Sequence, residues 1–109
     1  MSPPNFEVSH SRLVTEQFKR ILDLARSRGI LPVTLRASRW ILEELTRTPM
    51  EFGESREYLP RLDLHLRIGF AGPVYAEFGV NLPNRTVFIR HIALLGSDDV
   101  NDSANTGSP

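Results

Sequence analysis

From Arg61 to Gly96 the chain, RLDLHLRIGFAGPVYAEFGVNLPNRTVFIRHIALLG, runs through three apolar stretches broken by Ala71-Gly72-Pro73 and by Asn81-Leu82-Pro83-Asn84-Arg85. Leu62, Leu64, Leu66, Ile68 and Phe70 recur at every second position, as do Val74, Ala76, Phe78, Val80 and Leu82. Period two is the spacing of a strand with one buried face, so the segment predicts an antiparallel three-strand meander. On this reading the apolar rows face the rest of the chain. The free face then displays Asp63, His65 and Arg67 beside Tyr75, Glu77 and Asn81.

Upstream the period changes. Phe6 and Val8 alternate within Asn5–Ser9 and predict a short first strand, after which Ser9 or Ser11 can cap a helix by accepting a backbone N–H. Val14, Phe18, Ile21, Leu22 and Ala25 form a helical stripe between Arg12 and Arg28, closed by Gly29. Thr34 is the expected cap of a second helix running to about Arg47, buried through Leu35, Ile41, Leu42 and Leu45, with Glu43 and Arg47 paired at i, i+4. Thr48-Pro49 stops it, because proline disfavours helical geometry in the residue before it. Met50–Pro60 reads as a polar, acidic connection. The order strand, helix, helix, strand, strand, strand predicts an α+β two-layer sandwich. In it two antiparallel helices cover one side of a four-stranded sheet, and the first strand pairs with a non-consecutive one.

Length and composition narrow the class. At 109 residues the chain predicts one domain, placed at 5–96, with Met1–Pro4 loose and residues 97–109 a disordered acidic tail. Its apolar runs are too short to span a membrane, and no signal segment opens it. Without cysteine there is no disulfide framework or thiolate metal site, and three scattered histidines predict no metal centre. A cytoplasmic protein without cofactors is the expectation. The net charge is zero, which argues against a general nucleic-acid binder, yet it is unevenly spread. Residues 10–40 hold seven basic and two acidic side chains; residues 41–63 hold three basic and six acidic.

Several local phrases carry a likeness. Phe6-Glu7-Val8-Ser9-His10-Ser11 leads from strand to helix, Leu45-Thr46-Arg47-Thr48-Pro49 ends the second helix, and Leu59-Pro60 precedes Leu66-Arg67-Ile68-Gly69. Val74-Tyr75 and Val87-Phe88-Ile89-Arg90 follow as central strands. In order and spacing, residues 5 to 95 resemble the RelE/ParE superfamily, the small toxins of bacterial type II toxin–antitoxin pairs, which include plasmid-stabilisation systems. The resemblance implies a cognate antitoxin as partner. In ribosome-dependent members it further implies cleavage of messenger RNA by attack of a ribose 2′-hydroxyl on the adjacent phosphate. That reaction needs a base, an acid and donors for the charge on phosphorus. Arg67 and Arg90 would clamp phosphate, with His65 or Glu77 moving the proton. Two family features are replaced: Gly72-Pro73 stands where an aromatic-arginine pair is usual, and Leu94-Leu95-Gly96 then Ser97-Asp98-Asp99 where a basic cluster is usual.

Arg67 and His65 share a strand face, beside Tyr75 and Glu77 on the next strand, which also fits a plain Arg67–Glu77 cross-strand ion pair. On the last strand the favoured arrangement turns Arg90 outward with Phe88, Ile92 and Leu94 as an apolar partner surface, leaving His91 at the core edge. Trp40 either packs in the helix–sheet core with Ile41 and Leu42 or anchors a partner. The expected function is a toxin-like protein that binds a cognate antitoxin, with messenger-RNA cleavage left open by the replaced basic cluster. The alternatives are a non-catalytic binder of the gyrase-directed ParE kind, a degenerate partner-binding relative, and an unrelated two-layer module.

Overall fold

The structure, a computed structural model, describes residues 5–96, so the expectations for 1–4 and 97–109 lie outside the described residues. Strand β1 (Glu7–His10) enters helix α1 (Arg12–Ser27) through Ser11, whose hydroxyl accepts the Val14 N–H at 3.4 Å. Val14, Ile21 and Ala25 bury one side of α1. Gly29 adopts φ +72°, a left-handed conformation that a β-carbon disfavours, and this reverses the chain into the next helix.

Helix α2 (Leu31–Arg47) starts earlier than Thr34, with Pro32 in its first turn. Thr34 is not a cap. It is buried, and its hydroxyl donates to the Ile30 carbonyl at 2.7 Å. The buried stripe is Thr34, Ala37, Ile41 and Leu45, so Leu35 and Leu42 fall on the exposed flank rather than in the core. Small Thr34 and Ala37 let α2 approach the sheet closely: a β-carbon on Gly72 would lie 3.5 Å from that of Ala37. The expected Glu43–Arg47 pair does not form among the described residues.

The remaining strands are β2 (Glu54–Leu59), β3 (Leu64–Ala71), β4 (Val74–Asn81) and β5 (Thr86–Leu94). They form one five-stranded mixed sheet in the order β1-β5-β4-β3-β2, with β1 parallel to β5 and every other pair antiparallel. The first strand does join a non-consecutive neighbour. The sheet has five strands rather than four because β2 lies inside the expected connection. ESREYL shows no apolar alternation, since this edge strand is exposed along nearly its whole length. Its charges and a bulge at Arg56 suit an edge that must not recruit further strands.

Both helices pack on the same side of the sheet. Opposed residues on paired strands share a face, so the register assigns each side. Val74, Ala76, Phe78 and Val80 of β4 face the helices, opposite Ala71, Gly69, Arg67 and His65 of β3. Leu66, Ile68 and Phe70 therefore point to the open side, and the expected face of β3 is inverted. Phe52, from the α2–β2 loop, supplies the missing apolar bulk. Its ring lies over Gly69, stacks 5.7 Å from Phe78 and meets Trp40 edge-on at 5.5 Å. Gly69 leaves the room: a β-carbon there would sit 2.5 Å from the Phe52 ring.

Candidate functional site on the open sheet face

Arg67 lies on the covered side, 9% exposed. Its Nε donates to the Phe52 carbonyl at 3.2 Å and its Nη2 to the Gly53 carbonyl at 3.0 Å. The guanidinium thus ties the Phe52 loop to β3 and makes no ion pair with Glu77, which is on the other face. His65 shares the covered side and packs its ring 4.5 Å from Tyr58 of β2. The structure therefore separates His65 and Arg67 from Tyr75 and Glu77, correcting the expected four-residue grouping.

On β5 a bulge changes the phase. Glu77 opposes His91 while Phe78 opposes Ile89, so Arg90 is the extra residue. Parallel pairing with β1 ends at His10–Ile89, and just beyond it the Ile92 N–H is taken by Gln17 Oε1 of α1 at 3.0 Å. After the bulge Ile92 and Leu94 turn into the core, buried against the helices, and do not belong to an outer apolar surface. Before it Phe88 points to the open side, 44% exposed. His91 follows it there instead of sitting at the core edge, and Arg90 is exposed.

The outcome is a cluster that the alternation did not reveal. Tyr75 donates its hydroxyl to Glu77 Oε2 at 2.7 Å, and His91 Nδ1 lies 3.3 Å from the same oxygen. The Tyr75 ring stands edge-on to His91 at 5.9 Å and tilts against Phe70 at 5.2 Å. Partial burial works to raise the Glu77 pKa. The hydrogen bonds from Tyr75 and His91, with the charges of His91 and Arg90, outweigh it and hold the carboxyl below its ordinary range. Burial, the bond to Glu77 and the carboxylate's charge push the Tyr75 hydroxyl well above the usual phenol value, against a smaller pull from Arg56. An ionised carboxylate only accepts, so His91 donates from Nδ1 and, when neutral, carries its lone pair on Nε2. The cluster can therefore accept a proton at Nε2, or receive a polar group amid the apolar side chains of Phe70 and Phe88.

No protein-family model matches this chain, and no curated protein and no solved structure matches it either. Among the described residues no group of three or more His, Asp or Glu side chains is placed to hold a metal ion. No described helix is long and apolar enough to cross a membrane. Trp40 lies at the rim of the core, 46% exposed, with one edge against Phe52.

Proposed function

We propose that this chain is a toxin-like protein of RelE/ParE type, acting in the cytoplasm and neutralised by an antitoxin polypeptide that covers its open sheet face. One observation carries the reading: among the described residues, helices cover only one side of the sheet. The other side presents Phe70 and Phe88 around a preformed Tyr75–Glu77–His91 cluster. Large aromatics left half-exposed on a rigid strand face favour a macromolecular partner. The resemblance itself rests on the order strand, helix, helix, strands along the sequence.

A second reading adds catalysis, and the His91–Glu77 contact favours it. His91 Nε2 would take the proton of a ribose 2′-hydroxyl as that oxygen attacks phosphorus. The imidazolium so formed would then return a proton to the departing 5′-oxygen. Arg90, close enough to lower the Glu77 pKa, would supply positive charge near the phosphate. Arg67 takes no part.

Induced expression in a bacterial host tests both readings. The proposal expects growth arrest that is relieved by co-expressing the product of an adjoining reading frame. Cleaved messenger RNA, lost in His91→Ala, supports the catalytic reading. Growth arrest with intact RNA points to a binding target such as DNA gyrase. Normal growth without capture of the adjoining product removes the toxin assignment.

A further inference from the structure

A second surface adjoins the open sheet face at Phe70, where α2 meets the tip of the β3–β4 hairpin. A wide-mouthed trough of about 640 Å³ runs between Val33, Arg36, Ala37, Arg39, Trp40 and Glu43 on the helix and Phe70, Ala71 and Gly72 on the hairpin. Val33, Arg36 and Trp40 recur at helical spacing and make one exposed stripe beside buried Ala37. The walls hold the half-exposed rings of Trp40 and Phe70, which keep substantial apolar area in water. Arg36 and Arg39 are exposed and form no ion pair or hydrogen bond with any described residue.

We infer that this trough receives an acidic amphipathic helix from a protein partner. Its aliphatic side chains would enter between Trp40 and Phe70, and its carboxylates would meet Arg36 and Arg39. Charge complementarity selects the occupant: the trough carries Arg36 and Arg39, with no acidic partner among the described residues, against the single carboxylate of Glu43. A peptide fits better than a nucleic acid. Val33, Ala37 and Ala71 give an aliphatic floor, and the Glu43 carboxylate in the trough would repel phosphate.

Trp40 is the only tryptophan in the chain, so its emission reports occupancy of the trough directly. The full-length protein is titrated with a synthetic helical peptide carrying leucines at i, i+3, i+4 and i+7, flanking glutamates, and neither Trp nor Tyr. The expected result is a saturable blue shift that weakens with salt. In Arg36→Glu/Arg39→Glu the affinity falls by roughly tenfold, as two rim attractions become repulsions. Phe88→Ser, on the open sheet face, leaves the titration unchanged. The inference is overturned by an unmoved emission, by equal binding of a lysine version of the peptide, or by loss of binding in Phe88→Ser. A larger shift with a single-stranded oligoribonucleotide would assign the trough to RNA and overturn the peptide. A shift that follows the protein's own concentration without peptide would assign the trough to a second copy and overturn the peptide equally.

Discussion

Removing the Arg67 guanidinium should cost stability and leave the open face intact. Two charge-assisted donors are lost, to the Phe52 and Gly53 carbonyls at 3.2 and 3.0 Å. Each such bond is worth about 1.5–3 kcal/mol net, but Gly53 is exposed and its carbonyl can turn to water. Arg67→Met, which keeps an apolar stem against the core, should therefore lose about 2–4 kcal/mol. At roughly 4–8 °C per kcal/mol for a domain of this size, the melting temperature falls by about 8–32 °C. Arg67→Ala should lose more, because it also leaves a void beside Phe78. The Phe52 loop is then untied, and Trp40, edge-on to Phe52, should shift its emission in the folded variant. Thermal denaturation with fluorescence and circular dichroism reads both effects. An Arg67→Met protein that melts with the wild type yet loses growth arrest would refute the reasoning and return Arg67 to a functional role.

Three further outcomes follow from the same geometry. Gly69→Ala should destabilise by about 1–3 kcal/mol in chemical denaturation, because its β-carbon would lie 2.5 Å from the Phe52 ring in the covered layer. Gly79→Ala should cost less, since the nearest atoms its β-carbon meets belong to the half-buried Leu64 side chain at 3.0 Å, which can shift toward solvent. The Glu77 carboxyl is held below its ordinary 4.5, so the stability it contributes is present above that pH and fades as pH falls through the lowered value. Glu77→Gln should accordingly flatten the acid limb of a stability–pH profile; an unchanged limb would show that the cluster does not control it.

Much of the scaffold was legible in the sequence, and the misses share a cause. Helical stripes announced α1 and α2, and alternation announced β3 and β4, because each buries one side; β5 was legible only as an apolar run. Edge strand β2 carried no such signal, since neither of its sides is covered. The face of β3 was misread because its more apolar row points outward, while Phe52 fills the covered side above Gly69 from a distant loop. Alternation cannot register a residue that enters a layer from elsewhere. Tyr75 and Glu77 were placed on the open face correctly. Their partner His91 was hidden by the bulge at Arg90, which reverses the pattern within a strand apolar on both sides. Opposite-charge pairing of Glu77 with Arg67 fitted the wrong phase equally well, so composition could not decide between them.

The helix-free side of the sheet is the surface on which this protein is proposed to meet its target or its antitoxin. The most direct test compares growth arrest by Phe88→Ser, an exposed aromatic on that side, with Leu35→Ser, an exposed apolar residue on α2, at matched levels of folded protein. Relief of arrest in Phe88→Ser with full arrest retained in Leu35→Ser is the predicted result. Full arrest in Phe88→Ser and relief in Leu35→Ser would place the working surface on the helical layer and contradict it.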